Sequence, residues 1–114
     1  MATPNSLKYV LKKGQVTPAR SVCDYVDTFV LAATVAEKVT VPTSCALVFI
    51  MGDADFWCNF AVTTTATVPT ADITDGTSPV LMQAGMVHGR VVGGIAAFSI
   101  VAVGAPKISF EWYK

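Results

Sequence analysis

The sequence predicts an all-β fold: a single antiparallel β-sandwich, jelly-roll-like, preceded by an extended N-terminal arm. Three observations carry this expectation. Roughly six to eight short runs with strand character recur at about ten-residue intervals, the spacing of sandwiches and barrels. No segment sustains a 3.6-residue apolar period over the length a helix needs. The chain has 114 residues, enough for one ordinary core and not two. The arm is assigned to residues 1–20 and the sandwich to residues 21–114.

Pro4, Gly14 and Pro18 punctuate the arm and Lys12 and Lys13 keep it polar, with a short strand expected at Lys8 to Leu11. From Cys23 to Ala36 the apolar spacing is ambiguous. Val, Thr, Tyr and Phe dominate there, and these favour a strand, placed at Thr28 to Thr34. "EKVTVP" alternates, with Val39 and Val41 on one face and Lys38 and Thr40 on the other, until Pro42 ends it. "CALVFIMG" is apolar throughout, which suits a central strand covered on both faces. Gly52 and Asp53 supply turn chemistry before "DFWCNFAVT", where Phe56, Cys58, Phe60 and Val62 oppose Trp57, Asn59, Ala61 and Thr63. Thr63 to Pro79 is a long polar connection broken by Val68–Pro69 and Asp75–Gly76, and a loop of that length usually serves an interface or a function. Two strands are expected near Met86 to Val92 and Ala96 to Val103, joined as a hairpin by Gly93–Gly94. The closing "KISFEWY" points Ile108, Phe110 and Trp112 inward and Lys107, Ser109, Glu111 and Tyr113 outward.

Composition narrows the class of function. Hydrophobic residues make up 53% and charged residues 14%, against about 25% charged in an ordinary soluble domain. A small domain with so few charges either crosses a membrane or buries surface against other chains. The longest apolar run, Val91 to Ala105, is interrupted by Gly93, Gly94, Ser99 and Gly104 and falls short of the roughly 20 residues a spanning helix needs. "MATPNSLKYVLKKGQ" has lysines but no apolar core or cleavage site of a secretory signal. The expectation is an intracellularly made protein that assembles. Net charge is zero with the basic residues scattered, so no stripe exists for nucleic acid. Lys12 and Lys13 could touch a polyanion or simply solvate the arm.

The search for chemistry returns little. Cys23, Cys45 and Cys58 fit no metal-ligand spacing and are an odd number, so they are read as reduced packing residues. Asp53, Asp55, Asp72 and Asp75 could supply oxygens to calcium, but without the spacing of an EF-hand loop, and Asp53 and Asp75 read as turn formers. His88 is the single histidine, which cannot build a multi-histidine metal site, and it is read as a polar residue near a turn. "GRVVGG" lacks the Gly-Lys-Ser/Thr ending of a phosphate loop. Neither an enzyme nor a cofactor is expected. Trp57 opposes the Phe56–Cys58–Phe60 face and is the preferred contact residue.

"EKVTVPTSCALVFIMGDADFWCNF", then "VPTADITDGTSPVLMQAG" and a final "ISFEWYK" resemble a group of small virion proteins of tailed bacteriophages. In these a Val-x-Val-Pro strand leads to an apolar strand and a Gly-Asp-Phe-aromatic strand, then a "VPxADxTDGT" loop and a terminal aromatic-Tyr-Lys strand. The likeness covers Glu37 to Lys114 and departs at Ala54, which splits Asp53 from Asp55, and at Met86 to Gly94. It implies a non-enzymatic capsid decoration or cement protein on the virion capsid surface, made in the host cytoplasm. Its partners would be the major capsid protein and itself, as a trimer or other small homo-oligomer, with no nucleic acid and no membrane. Candidate interface residues are Trp57, Lys12, Lys13, Val68, Pro69, Asp72, Asp75 and Tyr113. Alternatives are a head-fibre or tail-associated structural protein, or a glycan-binding β-sandwich stacking sugars on Trp57 or Tyr113 beside the Thr63 to Pro79 loop. A small hydrolase using His88 is the remote third.

Overall fold

A strand with alternating side chains has one face to bury, and two such sheets bury their faces against each other. That is the architecture of the computed structural model, which describes residues 22–61 and 64–114 in full and residues 7–12 and 15–20 as backbone. Strands β1 (Leu7–Lys12) and β2 (Gln15–Arg20) pair as an antiparallel ribbon of their own. The remaining strands are β3 (Tyr25–Val30), β4 (Glu37–Thr40), β5 (Leu47–Gly52), β6 (Phe56–Asn59), β7 (Val80–Met82), β8 (His88–Val91), β9 (Ala97–Val101) and β10 (Lys107–Tyr113). Sheet I has the order β3-β10-β5-β8 and sheet II the order β4-β9-β6-β7, with every pair antiparallel. Sandwich strands consecutive in sequence lie in opposite sheets, save β6 and β7, which stay together in sheet II. This winding is the eight-stranded jelly roll.

The inner faces meet around aromatic side chains. Ile108, Phe110 and Trp112 of β10 are fully buried, as are Val48 and Ile50 of β5 and Phe56 and Cys58 of β6. Phe110 and Trp112 stack at 5.7 Å with planes 10° apart. Phe98 of sheet II sits 6.0 Å from Phe110 and 6.2 Å from Trp112, and so ties the sheets together. Phe29 meets Phe110 edge-on at 5.3 Å. The indole Nε1–H of Trp112 donates to Asp27 Oδ2 at 3.0 Å, which satisfies the one polar atom of that ring.

Several expectations need correction. Strand β3 ends at Val30, earlier than Thr34. Leu31 turns into the core at 1% exposure, and Ala33–Thr34 form a turn in which Thr34 takes a positive φ of 58°. The main-chain bonds Leu31 N–H to Pro106 O (2.9 Å) and Thr34 N–H to Ala102 O (2.8 Å) tie this crossing to the β9–β10 connection. Strand β5 is central in its sheet but covered on one face only: Val48, Ile50 and Gly52 point in, while Met51 is 40% exposed. Gly93–Gly94 do not close a hairpin, because β8 belongs to sheet I and β9 to sheet II. The inward alternation of β8 runs on into buried Val92, whose N–H donates to Ala46 O at 2.7 Å before the chain crosses. Strand β7 lies in a stretch where no strand was expected. In the arm the structure gives β1 over Leu7–Lys12 rather than Lys8 to Leu11, and adds β2.

Gly52 marks the crossing from sheet I to sheet II, and its place is dictated by space. A Cβ there would lie 2.8 Å from Ile108 Cδ1 and 2.9 Å from Phe56 Cε1. Gly52→Ala should therefore cost about 1–3 kcal/mol through overpacking, read as a lower denaturant midpoint with an unchanged m-value. Wild-type stability in the variant would show that the Ile108 methyl and the Phe56 ring yield without strain.

Candidate functional site

The acidic residues of the Gly52–Met82 stretch all lie near chain crossings or turns, and three of them have main-chain partners. Asp53 Oδ1 accepts from Lys107 N at 2.9 Å, while Asp53 N–H donates to Lys107 O at 3.2 Å, so this residue fastens the start of β10. Asp55 Oδ1 accepts from Ala84 N at 2.7 Å, and Gly85 N–H donates to Gly52 O at 3.1 Å, which closes the β5–β6 and β7–β8 connections on one another. Asp75 Oδ1 accepts from Thr77 Oγ1 at 2.6 Å and from Thr77 N at 3.1 Å, an Asx turn completed by Gly76 at φ 89°. These bonds from the Thr77 hydroxyl and amide hold the Asp75 carboxyl below its ordinary pKa. Asp72 is exposed on the same loop. Among the described residues no group of three or more His, Cys, Asp and Glu side chains could hold a metal ion.

The long connection over residues 60–79 is less free than the sequence implied. Asn59 Oδ1 accepts from Ala61 N at 3.0 Å and Asn59 Nδ2 donates to Thr77 O at 3.5 Å, drawing the two ends of the loop together. Ala66, 2% exposed, donates its N–H to Ser99 Oγ at 2.9 Å. All five residues of β9 are buried, because one face meets the core and this loop helps to cover the other. Val68 and Pro69 are half-buried. Between the loop and β6 lies a cleft of about 300 Å³ lined by Asn59, Thr64, Thr77 and Ser78 together with apolar Phe60, Ala61 and Val80. A second, of about 200 Å³, lies between Thr64–Thr65 and the Glu37–Lys38 and Phe98–Ser99 segments.

The other candidates separate. Trp57 is half-buried on β6, paired with Val101 on one side and Leu81 on the other. Tyr113 does not offer an exposed ring: it is 3% exposed and edge-on to Phe49 at 5.5 Å. A platform for sugar stacking is therefore absent at that position. Lys12 ends β1, its side chain lying outside the described residues, and Lys13 lies outside them altogether. His88 opens β8, and its Nε2 donates to Gln83 O at 3.2 Å. The cysteines are free, as read from sequence. Burial raises the Cys58 thiol to about 12, despite the opposing Arg90 charge. Burial and the Asp24 carboxylate also raise Cys45. No helix among the described residues is long and apolar enough to cross a membrane.

The surface that sequence reasoning missed is the outer face of sheet I. Strand register places Val26 and Val30 of β3, Leu47, Phe49 and Met51 of β5, and Val91 of β8 on it, flanking Ser109 and Glu111 of β10. Exposures are 57% for Val26, 64% for Val30, 40% for Met51 and 80% for Val91, with Val87 at 47% beside them. Phe49 lies across Gly89, where a Cβ would come within 3.0 Å of its ring. The available signal was a period of two, Leu47–Phe49–Met51, hidden in an apolar run whose inner positions are apolar too. The chain matches no family model, and no curated protein or solved structure matches it significantly.

Cys23 is half-buried while Cys58 is fully buried, so a thiol reagent should modify native Cys58 at least about tenfold more slowly than Cys23. The raised thiol also sets an alkaline limit. From the ordinary value of 9.0 upward the unfolded chain gives up the Cys58 proton while the folded chain keeps it to about 12. The stability this contributes is whole below pH 9 and is lost across that interval. Cys58→Ala should flatten that alkaline decline, as followed by urea unfolding at a series of pH values. An unchanged decline would assign it to other groups.

Proposed function

We propose that this chain is a non-enzymatic structural protein of a tailed-phage virion, a capsid decoration or cement protein that binds the major capsid protein and itself. The observation that carries the reading is the set of exposed apolar side chains, Val26, Val30, Met51 and Val91, that flank Ser109 and Glu111 on the outer face of sheet I, on a chain with 14% charged residues. A surface of that kind is costly on a freely diffusing monomer and is ordinary at a permanent contact. The motifs from Glu37 to Lys114 that resemble small phage virion proteins support the same reading. The jelly roll is compatible with it, since viral capsid domains use this architecture, but lectins and cupins use it too and fold alone assigns no function. The buried aromatic ladder and the main-chain bonds of Asp53, Asp55 and Asp75 suit a part selected for rigidity. On this reading the half-buried Trp57 and the loop residues Val68, Pro69 and Asp72 remain contact candidates, and the protein acts on the capsid surface.

A second reading, a glycan-binding module, draws on the cleft of about 300 Å³ beside Asn59, Thr64, Thr77 and Ser78. Sedimentation separates the two. The purified protein should co-sediment with capsids that lack it, saturably, and should raise the temperature at which those capsids open. Trp57→Ala should weaken this binding by about 1–3 kcal/mol if the indole is a contact anchor. Failure to co-sediment would remove the decoration role, and a response to glycans alone would move the function to the cleft.

A further inference from the structure

The outermost strands of a sheet present main-chain groups without a ladder, and natural edges are guarded by charge, proline, brevity or a bulge. Among the described residues the sandwich has four such strands, β3 and β8 in sheet I and β4 and β7 in sheet II. Strand β4 carries exposed Glu37 and Lys38. Strand β7 is three residues long and follows Pro79. Strand β8 is four residues long and holds His88, Gly89 and Arg90. Strand β3, "YVDTFV", is six residues long and has no lysine, arginine, glycine or proline. Its one charged residue is Asp27, whose carboxylate accepts from Trp112 Nε1–H at 3.0 Å.

Pairing with β10 fixes which groups of β3 are left over. Leu31 N–H donates to Pro106 O at 2.9 Å, in step with the register that opposes Val30 to Lys107. Main-chain groups alternate in direction along an antiparallel ladder. Tyr25, Asp27 and Phe29 therefore bond to β10 as Leu31 does, while Val26, Thr28 and Val30 turn their N–H and C=O groups outward. Asp24 N–H also donates to Trp112 O at 3.0 Å, so the free run of the edge begins after Tyr25. Val26 and Val30 are 57% and 64% exposed, and Thr28 between them is exposed too. An edge of this kind accepts another extended strand.

Strand β3 is complementary to itself. Laid antiparallel on a second β3 about a two-fold axis through Thr28, it opposes Val26 to Val30, Thr28 to Thr28 and Val30 to Val26. All three outward-turned residues then pair with one another, each pair exchanging two main-chain bonds, and the exposed valines meet across the ladder. Asp27 falls opposite Phe29 of the second copy. Moving the axis to Asp27 sets two like charges against each other and leaves Val30 outside the pairing. Moving it to Phe29 leaves Val26 outside. We infer that two copies of this chain associate edge to edge through β3, joining their four-stranded sheets I into one continuous antiparallel sheet. The contact is isologous and closes as a dimer. It rests on the self-association half of the proposed function and supplies its geometry.

Sedimentation equilibrium of the full-length protein over a range of concentrations tests this contact. Wild type should titrate between monomer and dimer. Thr28→Pro removes an outward N–H at a position where an edge strand tolerates proline. It should weaken dimerisation at least about tenfold, with unchanged circular dichroism. Charge tests the register. Val26→Lys with Val30→Lys sets like charges opposite each other across the two-fold and should hold the chain monomeric. Val26→Lys with Val30→Glu sets unlike charges there, and beside Glu111 and Lys107 of β10 within each copy. This second pair should dimerise at least about tenfold more tightly than the first. If Thr28→Pro fails to fold, the charge pairs carry the test, since both of their positions are exposed. A monomeric wild type, Thr28→Pro dimers of wild-type affinity, or equal association by the two charge pairs would overturn the inference. Capsid co-sedimentation is read separately. Dimers that ignore capsids would sink the decoration role and leave this contact standing, and monomers that bind capsids would do the reverse.

Discussion

The contact of Phe98 with the Phe110–Trp112 stack is the interaction on which the rest of the sandwich depends. Two sheets joined by chain crossings but by no disulfide stay aligned only if their inner side chains interdigitate, and these rings are among the largest bodies at the interface. Their position on β10 matters as much as their size. That strand runs between β3 and β5, so its placement fixes the register of both neighbours. The bond from Trp112 to Asp27 then anchors the β3 edge to the same indole.

From that centre the winding follows. A chain that alternates between sheets must cross the sandwich at each end, and the crossings are held by main-chain bonds: Leu31 to Pro106, Asp53 to Lys107 and Gly85 to Gly52 at one end, Val41 to Ala96 and Val92 to Ala46 at the other. Acidic residues that looked like candidate ligands reinforce two of the first group. Their oxygens are engaged by backbone amides at Ala84 and Lys107, which explains why turn chemistry and site chemistry look alike in a short sequence window.

The two outer faces are treated differently. Sheet II receives the loop over residues 60–79, docked through Ala66 and Ser99, and β9 is buried on both sides as a result. Sheet I has no comparable cover among the described residues of the sandwich, and its apolar side chains stand exposed. This asymmetry distinguishes the two faces: that of sheet II is partly covered within the chain by the loop over residues 60–79, while that of sheet I carries exposed apolar side chains.

The sequence by itself determined the class, one sandwich, and the strands whose alternation is clean. β4, β6 and β10 were legible because polar residues interrupt one face of each at a period of two. The turn roles of Asp53 and Asp75 and the reduced cysteines were legible too, since each follows from local chemistry. Tertiary structure decided what depends on distant residues. A Gly-Gly pair between two strands reads as a hairpin until β8 and β9 prove to lie in different sheets. An apolar run such as Leu47–Gly52 cannot say which alternate residues are covered, because that depends on what lies above the sheet. For the same reason Tyr113 read as outward-facing yet is buried, and the long loop read as exposed yet packs on β9. Periodicity specifies how side chains alternate; only the fold specifies what covers each face.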